Sequence, residues 1–395
     1  MQPGSKLDLN EQSGALLLRT VRNVVEAQRQ RDASQLDLPT VLGIKMTNRC
    51  NLRCAHCYQW NETGYHHDMT VAEQRLDLDI HVFERLLEET RPVKSRLYLW
   101  GGEPLAHREI VRVLELLEQD PRETTICTNA YFIRKHLPTL CRISPHLELL
   151  IALEGFQPEH DLLRGKGSFD EVMGQLDTLR KCRDDGSYQG KISVHTMISD
   201  SMVGRLFELM EFYEAKGLDL VMLTFPWYIS TETSQEMTAF VHEKFDWFVD
   251  PPSGRHTWDA FKYRLAPENV ARVIDDLRRI NSRTWKTRIR YQPDLEFDEI
   301  EGYVRGKSMS VRCASQCHAL NARVDISPTG NVSACKFFSE LSVGNLHRQT
   351  LAEMWRSARY EGIRQTLGQQ LSPGCSKCNV LYLHHHSTPR HLMHI

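Results

Sequence analysis

The chain has 395 residues, enough for two or three domains. Lys plus Arg (49) balance Asp plus Glu (51), which excludes a broadly basic nucleic-acid binder and an acidic solvating tail. With 41% hydrophobic and 25% charged residues the composition is that of a globular protein with a large core. No stretch approaches the roughly 18 consecutive apolar residues of a membrane span, and residues 1–19 lack the basic-then-apolar pattern of a secretory signal. The expected location is cytoplasmic, where thiols stay reduced. The eleven cysteines are therefore the informative feature: eight fall in two groups, one near each end, and grouped cysteines in such a chain read as metal or catalytic sites.

Residues 1–40 read as an N-terminal extension with one helix near Ala15–Gln30. From residue 41 strands and helices alternate. Val41–Met46 is a strand, and Thr70–Thr90 a helix with Thr70 as its cap. Strands follow at Arg96–Trp100, Thr124–Thr128, Leu147–Leu153, Lys191–Ile198 and Leu218–Leu223. Helices lie near Ile110–Glu118, Tyr131–Cys141, Ser168–Cys182 and Met202–Lys216. Six strands alternating with helices predict an α/β fold with a parallel sheet, either open or curled into a partial barrel, and chemistry at the C-terminal strand ends. Residues 231–310 break the rhythm with aromatic clusters and two helices, and read as a connecting insertion. Residues 311–395 read as a compact cysteine-bearing module.

The first strand runs into Cys50-Asn51-Leu52-Arg53-Cys54-Ala55-His56-Cys57-Tyr58. Thiolates at C-x3-C-x2-C spacing suit zinc or an iron–sulfur cluster. Only three are present, and His56 is poorly placed as a fourth ligand. Three ligands on a four-iron cube leave one iron open. This loop resembles the cluster-binding loop of the radical S-adenosylmethionine (SAM) superfamily. Gly101-Gly102-Glu103-Pro104 ends the second strand and resembles that family's SAM amine-binding motif. Thr128-Asn129 ends the third strand like the family's T-N-G turn, with Ala130 at the glycine position. Residues 151–165 resemble a further family stretch, with Glu154 where Asp is usual and Arg164 either a contact for the SAM carboxylate or a partner in a surface salt bridge. The resemblance covers about residues 41–225 and implies a partial (β/α)6 barrel over 41–230. It also implies a [4Fe–4S] cluster on Cys50, Cys54 and Cys57 that chelates SAM and yields a 5′-deoxyadenosyl radical. Tyr58 is either part of the adenine pocket or a core aromatic.

The tail places Cys313 and Cys317 ahead of Gly330, Cys335, Cys375 and Cys378. The pattern C-x12-G-x4-C…C-x2-C resembles the auxiliary-cluster module called SPASM or, shortened, twitch. No cysteine follows Cys378, so the resemblance implies one auxiliary [4Fe–4S] cluster on Cys317, Cys335, Cys375 and Cys378. Structural zinc on the same four thiols is the alternative. Cys313 is a spare ligand, an inert thiol or a hydrogen donor to a substrate radical. Cys127, Cys141 and Cys182 read as structural, and His384–His386 as a solvated tail.

These features imply an oxidoreductase or maturase of natural-product biosynthesis. It would be fed by a flavodoxin- or ferredoxin-type electron donor and would use the auxiliary cluster to oxidise a substrate radical. The substrate is a small molecule, such as a sugar or cyclitol, or a ribosomal peptide. The absence of an evident peptide-recognition domain leans towards the former. Two alternatives stand beside oxidation: a redox-neutral epimerase with Cys313 as hydrogen donor, and a non-catalytic zinc-binding protein on the same fold.

Overall fold

The computed structural model describes residues 37–308, 317–378 and 380–381. The N-terminal helix expected near 15–30, Cys313 and His384–His386 lie outside the described residues. The sheet's parallel strands are β1 (Val41–Thr47), β2 (Arg96–Gly101), β3 (Thr124–Thr128), β4 (Leu147–Ala152), β5 (Lys191–Met197), β6 (Leu220–Thr224) and β7 (Arg288–Gln292). The crossovers carry α1 (Ile80–Glu89), α2 (Ile110–Gln119), α3 (Ile133–Ile143), α4 (Gln157–Arg164), α5 (Ser168–Asp184) and α6 (Leu206–Ala215). Next come α7 (Thr231–Lys244) and α8 (Val270–Asn281), then β8 (Arg323–Ile326), β9 (Asn331–Ser333), β10 (Ser342–Asn345) and α9 (Ala358–Gln369).

All ten strands form one open sheet in the order β10-β9-β8-β1-β2-β3-β4-β5-β6-β7. Strand β8 adds to β1 in parallel, and β9 and β10 continue antiparallel. The two cysteine groups are thus carried by one continuous sheet. The segment read from sequence as a connecting insertion supplies β7, which pairs with β6. Its Arg-Ile-Arg-Tyr-Gln sequence lacks the apolar run of the buried strands, because an edge strand keeps charged side chains in water.

Side chains alternate between the two faces of the sheet. Leu42, Ile44, Leu97, Leu99, Ile126, Leu149, Ile151, Val194, Val221 and Leu223 lie in the main core. Helix α1 covers part of that face with Val82, Phe83, Leu86 and Leu87, each such side chain contributing about 1.5–3 kcal/mol by burial. The inner face differs. Leu150, Leu220 and Met222, with Tyr98 and Cys127 against them, form a separate small cluster, and Gly43, Lys45 and Trp100 alternate with the outward positions of β1 and β2.

The helix expected over 70–90 is interrupted. A one-turn helix, Val71–Gln74, is closed by a Thr70–Glu73 capping box, and α1 restarts with Asp79 as cap. Between them the chain runs extended against β1: Thr47 bridges Asp77, and the Leu78 amide donates to the Met46 carbonyl at 2.8 Å. This break braces the end of β1 just before the first cysteine. Among the described residues no helix is long and apolar enough to cross a membrane.

Gly43 makes room for the docking of β8. A Cβ there would overlap the side chains of Arg323 and Asp325, a buried bidentate pair with bonds of 2.7 and 2.6 Å. Gly43→Val should cost about 1–3 kcal/mol by overpacking, read as a lower urea midpoint with unchanged far-ultraviolet dichroism.

Candidate functional site

The first cysteine loop leaves the C-terminal end of β1 and is fixed by backbone contacts. The Gly102 amide donates to the Thr47 carbonyl at 2.9 Å and the Glu103 amide to the Arg49 carbonyl at 2.7 Å. Gln59 reaches back from beyond Cys57 to the Gly101 carbonyl at 2.9 Å. A Cβ on Gly102 would overlap the Arg49 carbonyl. The second glycine is therefore required by the approach of the cysteine loop itself. Pro104 opens a short 3-10 turn.

Glu103 joins three strand ends. Its carboxylate accepts from the Leu105 amide (3.0 Å), the Thr128 hydroxyl (2.8 Å) and the Asn129 amide (2.7 Å). Burial pushes its carboxyl up to about 7, against these hydrogen bonds. Asn129 also donates to the Asn51 side chain at 2.8 Å and lies 3.9 Å from Cys50 Sγ, so the third strand end touches the cysteine loop. Ala130 sits at φ 72°, the left-handed conformation that explains the glycine usual at this position.

Glu154 and Arg164 form a buried ion pair, with Arg164 Nε and a terminal nitrogen 3.0 and 2.6 Å from Glu154 Oε1. The salt bridge considered for Arg164 thus exists, inside the protein rather than on its surface. Burial acts to raise the Glu154 carboxyl, but Arg164 and His56 overcome it and hold it well below the usual range. The other carboxylate oxygen accepts from the Met197 amide at 2.6 Å. His56 Nε2 lies 3.4 Å from Glu154, while its buried Nδ1 has no hydrogen-bond partner among the described residues. The Arg164 guanidinium lies within the field of Cys54 and Cys50. Tyr58 stacks on Phe261 with ring centroids 4.7 Å apart and leans on Trp227. Its ring thus lies between the cysteine loop and Phe261 of the 231–310 segment.

The second group is gathered by topology. Cys317 precedes β8 and Cys335 follows β9; because β9 runs antiparallel to β8, both reach the same end of the pair. Cys375 and Cys378 come from one 3-10 turn, Pro373–Lys377, with the Cys378 amide on the Cys375 carbonyl at 3.0 Å. Cys317 is within the charge field of Cys375 and Cys335, and Cys378 within that of Cys317 and Cys375. Ser333 at the end of β9 pairs with Asp325, which is level with Gly43 in the middle of β1. The two thiol groups therefore lie towards opposite ends of β1, with the inner face of the sheet between them. Among the described residues no three His, Cys, Asp or Glu side chains gather closely enough for a single metal ion.

Lys45, His195 and Lys336 escaped the sequence reading. Each lies on or against the inner face, as strand alternation could have shown for the first two. Cys127, read as structural, stands beside Tyr98. His195, pulled down to about 4 by burial, faces the Glu154 pair.

Gly102→Val should push the cysteine loop off the end of β2. The expected result is loss of metal loading with circular dichroism retained. A second expectation comes from the thiols. Burial pushes Cys50 and Cys317 up to about 12 and Cys54 to about 11, from an ordinary 9.0. A raised folded-state value stabilises the metal-free protein below pH 9, and that contribution is lost as the pH climbs towards 11–12. Metal ligation replaces the proton, so melting temperature should fall more steeply between pH 8.5 and 11 for metal-free than for metal-loaded protein.

Known proteins give this geometry its context. A model of the radical SAM superfamily matches residues 44–210, and the SPASM model, an iron–sulfur cluster-binding domain, matches 317–379. The antilisterial bacteriocin subtilosin biosynthesis protein AlbA of Bacillus subtilis is 22% identical over 353 residues, covering 87% of this chain and 66% of that protein. The AdoMet-dependent heme synthase of Methanosarcina barkeri is 22% identical over 347 residues, covering 86% and 88%. The fold is shared with Streptococcus suis SuiB bound to its precursor peptide SuiA, at TM-score 0.56, 16% identity and coverage of 95% of this chain and 78% of that one. With one family model ending its match on α6 and the other beginning at Cys317, the chain belongs to the radical SAM superfamily, whose domain binds a [4Fe–4S] cluster and SAM, and carries a C-terminal SPASM iron–sulfur domain.

Proposed function

We propose that this chain oxidises a peptide substrate seated on the inner face of the sheet between two iron–sulfur clusters. In this reading Cys50, Cys54 and Cys57 hold the [4Fe–4S] cluster with one open iron, and Cys317, Cys335, Cys375 and Cys378 hold one closed auxiliary cluster. The observation that carries it is the strand register. It sets the two thiol groups towards opposite ends of β1, with Tyr98, Trp100 and Cys127 between.

The donor sets fit the groups. The first loop offers three soft thiols, and His56 Nε2 lies against Glu154. Three thiols without a fourth suit a polynuclear cluster with an open iron better than structural zinc, which closes on four ligands. When bound at Cys50, Cys54 and Cys57, the open cluster with SAM would supply radical hydrogen-atom abstraction, and a cluster at Cys317, Cys335, Cys375 and Cys378 would supply an acceptor for the second electron, the accompanying proton leaving to solvent.

The chain's own residues position and shield. Glu103, anchored by Thr128 and the Asn129 amide, presents the amine-binding edge of the SAM site beside Cys50. Arg164, clamped by Glu154, directs positive charge at the same loop. Tyr58, Trp227, Phe261 and Phe337 form a contiguous aromatic wall that excludes water from the reacting centre. Reducing equivalents come from a flavodoxin- or ferredoxin-type donor.

A peptide is favoured as substrate because AlbA is named for bacteriocin biosynthesis and SuiB was crystallised with a precursor peptide. A small-molecule substrate is the second reading, supported by the heme synthase, most of whose length this chain covers.

The test is anaerobic reconstitution followed by dithionite. The expected product is 5′-deoxyadenosine, lost in Cys54→Ala and retained in Cys335→Ala. A processed substrate should lose two hydrogens in mass with wild type and not with Cys335→Ala. Zinc with no 5′-deoxyadenosine overturns the reading. Solvent deuterium in a product of unchanged formula would favour epimerisation.

A further inference from the structure

Two half-buried thiols stand outside both cysteine groups and face each other across neighbouring helices. Cys141 lies in the last turn of α3 and Cys182 in the last turn of α5, and both are free thiols. The two helices cross over from adjacent parallel strands, α3 from β3 and α5 from β4, so they run side by side in the same direction.

Hydrogen bonds set their register. At the start of α3 the Arg134 amide donates to Gln175 Oε1 of α5 at 2.9 Å. Cys141 and Cys182 each lie seven residues beyond that pair, which is about two turns further along the same helix faces. At the other end the Ser144 hydroxyl donates to the Cys141 carbonyl at 2.6 Å and accepts from the Gln189 amide at 2.9 Å. The Cys182 carbonyl accepts from the Tyr188 amide at 2.8 Å and the Ser187 hydroxyl at 3.2 Å. The segments leaving the two helices are thus bonded to each other beside both thiols, and the Cys141 thiol is in side-chain contact with Cys182 and Ser187. Packed helices lie about 8–10 Å apart, with Cα atoms about 2.3 Å from each axis. Facing Cα atoms then stand about 3.5–5.5 Å apart, which overlaps the roughly 4.4–6.8 Å that a disulfide spans.

We propose that Cys141 and Cys182 form a reversible thiol–disulfide site, oxidised by a small-molecule disulfide such as oxidised glutathione, that ties together the segments entering β4 and β5. The thiolate of one cysteine attacks a sulfur of the oxidant, the oxidant's S–S bond breaks, and one small thiol leaves. The second cysteine then displaces the other small thiol from the mixed disulfide. The chain gives up two electrons and two protons, and the oxidant becomes two thiols. Cys127 does not compete, since it lies across the sheet on the inner face beside Tyr98. The bond closes the segment 142–181 at the strand ends opposite the first cysteine loop, and it stands independently of the function proposed above.

The experiment incubates the anaerobically purified full chain in glutathione buffers from fully reduced to fully oxidised. Free thiols are then alkylated and the peptides mapped by mass spectrometry. A Cys141–Cys182 cross-link should grow with the oxidised fraction, vanish in excess reduced glutathione, and be absent from C141S and C182S. The cross-linked chain should melt about 4 °C above the reduced one, because the link removes freedom from the unfolded chain. Where a serine variant fails to fold, the alanine variant at that position takes its place. Thiols that stay free in fully oxidised buffer overturn the proposal. So do lasting glutathione adducts without the cross-link, or a cross-linked chain that melts no higher.

Discussion

The architecture depends on a backbone contact, the approach of Gly102 to the carbonyl of Arg49. It locks the end of β2 under the first cysteine loop and leaves no room for a side chain. The Gly102 and Glu103 amides then satisfy the Thr47 and Arg49 carbonyls. Buried backbone groups need partners, and the sheet supplies them to the loop that carries three thiols. Glu103 extends the same bracing to β3 through Thr128 and Asn129. The three strand ends therefore move as a unit, which is what a preformed site for a cofactor requires.

Around this frame the inner face of the sheet is unusually rich in charge. Glu154–Arg164 and Arg323–Asp325 are paired inside the protein, while among the described residues Lys45 and Lys336 have no carboxylate in ion-pair contact. A buried pair gives little net stability against its desolvation cost, and an unpaired charge gives less. A stability-driven interior would replace these groups with apolar ones. Their presence fits an interior arranged to receive anionic groups. The same reasoning covers the thiols, which burial keeps protonated until metal replaces the proton.

Much of this was legible in the sequence, for identifiable reasons. The six main strands carry β-branched, aromatic and apolar residues between turn or helix segments, so their positions were readable to within two residues, and Thr124–Thr128 matched outright. Strand β7 was missed because Arg288, Arg290 and Gln292 hide a strand inside a charged edge segment. The break before α1 was missed because Leu76 and Leu78 continue the apolar pattern while their backbone pairs with β1. At the site, short spacings named the cysteines and the G-G-E-P turn. Lys336 could not be read as part of the interior, because its placement depends on β8 docking against β1, a contact between segments roughly 280 residues apart.

The central claim is that the two thiol groups hold two separate iron–sulfur clusters on one sheet. Iron and acid-labile sulfide counted per chain, with Mössbauer spectra, test it most directly. The account predicts about eight irons and matching sulfide in wild type. About half should remain after Cys50, Cys54 and Cys57 are replaced by Ala, and the spectrum that remains should be insensitive to SAM. Stoichiometric zinc without sulfide, or a triple variant that loses all its iron while staying folded, would contradict it.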